Sequence, residues 1–255
     1  MREPGAILAA AIFGAVVGSF LNVCIHRLPR ETSIIWPSSA CPHCKRNLSW
    51  YENIPIVSYL VLWGRCRTCK QPISGRYPLI EALTALLFAA AWVYYGPSLL
   101  FASRVLLGCS LIVLFAIDLE HQLLPDQITL PGIVVGFVFS FFMEPGWLNS
   151  LLGIVLGAGS LYLIRWAYYR VRHEEGLGLG DVKMLAMVGA FIGWKLTLIT
   201  LVMASFAGSI IGLLLILMGR GTMKYALPFG TFLALGAAVA ATAGQGILDW
   251  YLRLW

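Results

Sequence analysis

Charge is scarce in this sequence. Only 12% of its 255 residues are Asp, Glu, Lys or Arg, whereas 59% are hydrophobic, and a soluble domain carries about 25% charged residues. So few charges cannot solvate so apolar a chain, which excludes an ordinary soluble enzyme, a disordered chain, a collagen and a secreted disulfide scaffold. A membrane-spanning helix takes about 20 apolar residues, so the hydrophobic content suffices for seven or eight short spans. The chain reads as an all-α membrane protein of about eight transmembrane helices. Neither an internal repeat nor a low-complexity tract stands out.

Apolar runs between charges and Pro/Gly breaks fall at 5–25, 79–95, 99–117, 128–143, 147–168, 182–192, 196–218 and 228–250. The sixth is short for a span. Three parts follow: a first transmembrane helix at 1–25, a polar insert at 26–78, and a seven-helix membrane domain at 79–255. The insert holds eight of the 18 Lys and Arg residues, so the positive-inside rule makes it cytoplasmic. Eight alternating spans then place fourteen of the 18 cations inside, leaving Arg2, Arg104, Lys195 and Arg253 outside. Both termini face outward in this scheme. A cleaved signal peptide is the alternative for residues 1–25, but its flanking charge runs the wrong way. The net charge of +6 is what a cytoplasmic face and anionic lipid require, so no nucleic-acid partner is inferred.

Cys41-Pro-His-Cys44 and Cys66-Arg-Thr-Cys69 are two C-x-x-C pairs separated by 21 residues, a spacing at which two knuckles close a tetrahedral site. Four thiolates fill the coordination shell and leave no position for a catalytic water, so the expected zinc is structural. The competing readings are two disulfides, disfavoured in a reducing cytoplasm, and a redox C-x-x-C, which lacks a thioredoxin-like βαβ pattern. His43 reads as a loop residue, and Cys24 and Cys109 as packing residues in apolar spans.

The 12 acidic residues carry more information, because a carboxylate near a bilayer is costly unless it serves a purpose. Asp118 ends the third apolar run, at a helix C-terminus where the macrodipole disfavours negative charge. Asp126 follows Pro125 and is expected to cap the next helix. Asp181 closes Gly176-Leu-Gly-Leu-Gly180-Asp181 and opens another apolar helix, so it reads either as an N-cap or as a functional acid. Three alternating glycines exceed what a cap needs and suggest a mobile backbone that another chain can approach. No strand precedes them, so a dinucleotide loop fails its context. Two aspartates at the cytoplasmic ends of different spans suit an aspartic protease, in which one ionised and one protonated carboxyl share a water. Ser19 lacks the G-x-S-x-G elbow of a serine nucleophile.

The sequence resembles the type IV prepilin peptidases, membrane aspartic proteases of the GxGD type, over nearly its whole length. The motifs are Gly18-Ser-Phe-Leu-Asn-Val with Arg27-Leu-Pro29, the paired cysteines, Trp50-Tyr-Glu-Asn-Ile-Pro55, Gly75-Arg-Tyr-Pro-Leu-Ile-Glu81, Asp118 through Pro125-Asp126, Gly178-Leu-Gly-Asp181-Val-Lys and Pro228-Phe-Gly230. The resemblance implies that Asp118 and Asp181 are catalytic and that the cysteine loop is a cytoplasmic zinc insert. It also implies N-methylation of the new N-terminus with S-adenosylmethionine, at a site it does not locate. Substrates would be type IV prepilins or pseudopilins, and the location a bacterial inner membrane. Thr231 stands where many members have proline after Phe-Gly, a departure to which the sequence attaches no consequence.

Among the remaining polar residues, Glu81 reads as a carboxylate favoured by the dipole at the start of the second span, with the methyl-transfer site as its alternative. Lys183 reads as a snorkelling interfacial anchor, and Asn22 and Asn53 as turn or packing residues. Two rival functions remain at this level. One is a small proton- or cation-coupled transporter using the same carboxylates, which would favour midplane acids and repeat symmetry. The other is a zinc-stapled pilus assembly platform without chemistry.

Overall fold

The computed structural model describes residues 3–174, 176–218 and 227–253. Arg2, Arg220 and Lys224, three of the cations used to orient the chain, lie outside the described residues, as does most of the expected 219–227 connection. All regular structure is helical: α1 (Pro4–Arg27), α2 (Val57–Val61), α3 (Arg76–Tyr95), α4 (Leu99–His121), α5 (Asp126–Phe139), α6 (Trp147–Arg172), α7 (Leu179–Leu217) and α8 (Phe229–Leu252). Six of them (α1, α3, α4, α6, α7 and α8) are long and apolar enough to cross a membrane. Two compact units divide the chain, Met1–Val105 and Leu106–Trp255.

In the first unit, α1 opens on Pro4 and ends with His26 and Arg27 in its last turn, where cations oppose the negative end of the macrodipole. It packs along α3 through small residues. A Cβ at Gly18 would lie 2.7 Å from Glu81 Cα, and one at Gly14 would lie 2.8 Å from the Thr84 carbonyl. Glycine permits this approach. Between the two helices the chain forms the insert, with a 3₁₀ turn at Trp50–Asn53 and the one-and-a-half-turn α2.

In the second unit the expected spans are partly redrawn. The fourth run forms only the 14-residue α5, because Ser140 takes the C-cap and the chain turns away. At 1.5 Å per residue α5 is about 21 Å long, short of a ~30 Å hydrocarbon core. The sixth and seventh runs form the two arms of the 39-residue α7, two helices that meet at a non-helical Gly193 (φ 76°, ψ 169°), where the expected runs also part. That backbone conformation suits glycine alone, and the bend separates arms with different environments. In the first arm Met184 to Ile192 are all buried, so it is the centre of the unit, as expected of a helix apolar on every side. In the second arm Val202, Phe206 and Leu213 are exposed, as lipid-facing residues should be.

The α6–α7 contact sets the close packing of this unit. Cβ atoms placed on Gly153 or Gly189 would collide with the backbone of the other, and one on Gly157 would lie 2.8 Å from the Leu185 carbonyl. Ser150 Oγ donates to the Ala190 carbonyl at 2.8 Å. Small residues thus bring two backbones together where a bilayer offers no hydrophobic drive between helices.

Candidate active site and metal centre

Three helix ends of the second unit converge on Asp118 and Asp181. Asp118 lies near the C-terminus of α4, Asp181 in the first turn of α7, and Thr231 in the first turn of α8. Both aspartates are buried, 4% and 8% exposed, and the helix starts beside them, at Gly180 and Gly230, both pack on Leu124. Thr231 donates twice to one Asp118 oxygen, Oδ2, from its backbone N–H at 2.6 Å and its hydroxyl at 3.0 Å. The dipole argument from α4 alone is therefore incomplete: the N-terminus of α8 supplies both a free N–H and a favourable field. Asp181 is not the N-cap, which is Gly178. It stands three residues after that cap, with its Oδ2 turned back to within 3.1 Å of where a Cβ on Gly178 would stand.

The glycines beside these acids serve the chain's own packing. A Cβ on Gly180 would lie 2.8 Å from Leu124 Cβ; one on Gly230 would lie 2.9 Å from Leu124 Cδ1 and 3.0 Å from Asp118 Cγ. Leu124, in the α4–α5 turn, thus meets both helix starts, so Gly180 serves the chain's own packing. Gly176 and Gly178 of the same run are exposed. Thr231, which the sequence left without consequence, is the site residue that was missed. Its signal was a hydroxyl residue in the first turn of a helix, where N–H groups lack intrahelical partners.

Two further expectations are corrected nearby. Asp126 does not cap α5, whose N-cap is Pro125. Asp126 begins the helix, and both its oxygens accept from Lys183 Nζ, at 2.8 and 2.7 Å. Lys183 is accordingly an ion-pair partner that ties α7 to α5, rather than a solitary anchor.

In the insert, the two cysteine pairs form the same turn twice. Cys41 N–H donates to Arg46 O and Lys45 N–H to Cys41 O; twenty-five residues on, Cys66 N–H donates to Gln71 O and Lys70 N–H to Cys66 O. Lys45 and Lys70 both have φ 58°, and single bridges, Ala40 with Asn47 and Arg65 with Pro72, close each turn. A local repeat therefore exists in structure, carried by Cys-x-x-Cys-Lys. The four Sγ atoms lie within 4.8 Å of one another, with Cys41–Cys69 at 3.8 Å and Cys44–Cys66 at 4.0 Å. These distances exclude disulfides. Four sulfurs about 2.3 Å from one tetrahedral zinc would stand about 3.8 Å apart, so the donor set fits that ion. Backbone N–H groups of Cys69 and Thr68 bring the Cys66 thiol down to about 6, which prepares it as a thiolate ligand. At Cys69 the Gln71 amide pulls the other way, but burial and the neighbouring sulfurs outweigh it and push the thiol up to about 11. Clustered thiolates repel, and a divalent cation removes that repulsion.

Glu81 is also reassigned. It lies beyond the first turn of α3, is buried, and its Oε2 accepts from the Ile56 N–H at 2.7 Å. Ile56, with φ 61°, is a strained conformation for a β-branched residue, and this bond holds it in place. Asn22 Nδ2 donates to the Tyr77 carbonyl at 3.0 Å, a packing role that joins α1 to α3 as expected.

Helical spans, a knuckled four-cysteine cluster and a buried aspartate pair together define a class, the polytopic membrane enzymes with paired acids. Comparison with known proteins narrows it. The sequence matches the Bacterial Peptidase A24 N-terminal domain over residues 12–95 and the Type IV leader peptidase family over residues 105–213. It is 39% identical over 269 residues to a prepilin leader peptidase/N-methyltransferase of Aeromonas hydrophila, covering 94% of this chain and 92% of that protein. A protein of the same description from Pseudomonas aeruginosa is 35% identical over 97% of this chain and 93% of its own length. Another from Burkholderia pseudomallei is 38% identical over 92% and 84%. No solved structure shows a significant match. The chain belongs to the prepilin leader peptidase/N-methyltransferase family.

Proposed function

We propose that this enzyme removes the leader peptide of type IV prepilins or pseudopilins with Asp118 and Asp181 as its catalytic pair, and then N-methylates the new N-terminus. The observation that carries the reading is the gathering of two buried carboxyls at three helix ends, Asp118 at the end of α4 held by Thr231 of the α8 start, and Asp181 in the first turn of α7. Two acids so placed divide the work. The ionised one takes a proton from water as it attacks the scissile carbonyl, and the protonated one donates to the developing oxyanion. The site lies at helix ends rather than mid-span, which suits a substrate whose charged leader stays in water while its apolar helix lies in the bilayer.

With α5 and each arm of α7 taken as short spans, the eight apolar runs alternate, and the resulting fourteen-to-four division of cations supports orienting these helix ends and the insert toward the cytoplasm of a bacterial inner membrane. Cys41, Cys44, Cys66 and Cys69 would hold a structural zinc that replaces a hydrophobic core in a small polar insert. S-adenosylmethionine supplies an electrophilic methyl group. Methyl transfer requires positioning of a neutral amine and not an activated water, so it is assigned to a separate site. The deciding experiment uses Asp118→Asn and Asp181→Asn enzymes with zinc content and helicity verified. Both should lose cleavage of a prepilin by several orders of magnitude, since paired acids act as a unit, yet methylate a pre-cut pilin. Robust cleavage by either variant means that the pair is wrongly chosen.

A further inference from the structure

One side of the insert is apolar and, among the described residues, uncovered. Along the short α2, Ser58 and Tyr59 turn inward: the Ser58 hydroxyl donates to the Tyr51 carbonyl at 2.7 Å and the Tyr59 hydroxyl to the Ile73 carbonyl at 3.3 Å. Val57, Leu60 and Val61 are all exposed, at the i, i+3 and i+4 spacing of a single helix face. Trp63, just beyond the helix, is 88% exposed, and its φ of 53° is uncommon for so bulky a residue. Trp50, 80% exposed, stands beside α2, since its ring meets that of Tyr51, whose carbonyl holds Ser58. A contiguous exposed apolar patch of this kind marks a surface that something else covers.

The level of α2 along the spans identifies the cover. Ile56, the residue before α2, is bonded to Glu81, which lies five residues into α3 (Arg76–Tyr95). At 1.5 Å per residue that is about 7.5 Å along the helix axis, whereas the headgroup layer on each side of a bilayer is roughly 5–8 Å deep. Around that depth α3 already turns Leu79, Leu83 and Leu86 outward, a lipid-facing stripe. The bond therefore holds the start of α2 at the membrane surface. Chain continuity demands the same, because the insert leaves one candidate span, α1, and returns into another, α3. Charge agrees as well. Arg65, Arg67 and Lys70 follow Trp63 and are exposed, and the Arg67 guanidinium lies 5.5 Å over the Tyr51 ring. Apolar side chains rimmed by tryptophan, tyrosine and cations reproduce the layering of a bilayer interface, from acyl chains to anionic phosphates.

We propose that this face is a membrane-docking surface whose partner is the lipid bilayer itself. Leu60, Val61 and Trp63 enter the acyl-chain boundary, and Arg65 and Arg67 meet lipid phosphates, in the manner of a short interfacial helix. The second cysteine knuckle begins two residues after Trp63, so the four-cysteine cluster is pinned flat against the membrane instead of projecting into water. The Glu81–Ile56 bond sets the depth of this contact, which explains why a buried carboxylate is retained to hold a single backbone amide.

Trp63 supplies its own reporter. Zinc-loaded full-length enzyme and its Trp63→Phe variant, altered where the ring already stands in the open, are placed in nanodiscs of phosphatidylglycerol and phosphatidylcholine. The emission of wild type minus variant isolates Trp63 from the remainder of the nine tryptophans. Lipid brominated near the carbonyl end of its acyl chains should quench at least half of that difference. Independently, p-benzoylphenylalanine in place of Leu60 should, on irradiation in native membranes, add the mass of one phospholipid to the chain. A Trp63 emission that brominated lipid leaves unchanged would overturn the proposal. Cross-linking of position 60 to a second copy of this chain, to a prepilin or to another protein in place of lipid would overturn it too, and would assign the face to that protein.

Discussion

Thr231 brings both its backbone N–H, at 2.6 Å, and its hydroxyl, at 3.0 Å, to a single oxygen of Asp118. The helix that carries Thr231 thereby orients the aspartate of another helix, and one of the two carboxylate oxygens is committed to that task.

Thr231→Val removes the hydroxyl and little volume, while the backbone donor survives. One such hydrogen bond is worth about 1–3 kcal/mol, so kcat/KM for prepilin cleavage should fall about 5- to 160-fold. Methylation of a pre-cut pilin and zinc content should stay at wild-type levels. Steady-state kinetics on both substrates would check this, and an unchanged cleavage rate would show that the hydroxyl does not position Asp118.

Gly189→Ala places a methyl group against the Gly153 backbone, where neither helix can yield cheaply. Overpacking of this kind costs about 1–3 kcal/mol, and cleavage should suffer because α7 carries Asp181. Gly159, whose Cβ would meet nothing within 4 Å, supplies the control: alanine there should be neutral or stabilise α6 by up to about 1 kcal/mol. Thermal unfolding in detergent would compare the two.

Removal of zinc should loosen the insert first. Chelation under reducing conditions should abolish amide protection in both knuckles, residues 40–47 and 65–72, which the bridges now close, and leave the helices bearing Asp118 and Asp181 protected. Because the thiolates must be deprotonated to bind, zinc should also dissociate as pH falls. Hydrogen exchange coupled to metal analysis would follow both, and persistence of knuckle protection in metal-free protein would contradict a structural role.

Glu52 should give the insert a second acid-sensitive element. The Ser49 N–H and then Arg46 favour its charged form and hold its carboxyl below the ordinary 4.5. A folded value below the unfolded one means that its stabilisation is fully present above about pH 4.5 and disappears as pH falls through the lower folded value. Glu52→Gln should therefore raise hydrogen exchange around residues 46–53 at pH 7, and the difference from wild type should close as pH falls through that lowered value.

How much of this was legible follows from the range of each interaction. Helical class, the helix start after Pro125 and the cysteine set arise from composition and from spacing within a few residues, and each was readable. α5 was misjudged because hydropathy registers apolar length but not where a chain bends, and Ser140 ends that helix early. The bend at Gly193, by contrast, falls between the two apolar runs that the sequence separates. Asp126 and Lys183 were read as a cap and an anchor because each was judged on its own helix, whereas they meet across two.

The sequence by itself determined that the chain is a helical membrane protein with four cysteines at a spacing that suits one metal and with two aspartates at helix ends, of which a cap could explain only Asp181. Only the tertiary structure decided that Asp118 rests on Thr231, that Gly180 and Gly230 make room for Leu124, and that Glu81 holds Ile56. Those contacts join segments far apart along the chain. A residue pattern records what each helix prefers, whereas the partner at each helix end is chosen by how the helices pack.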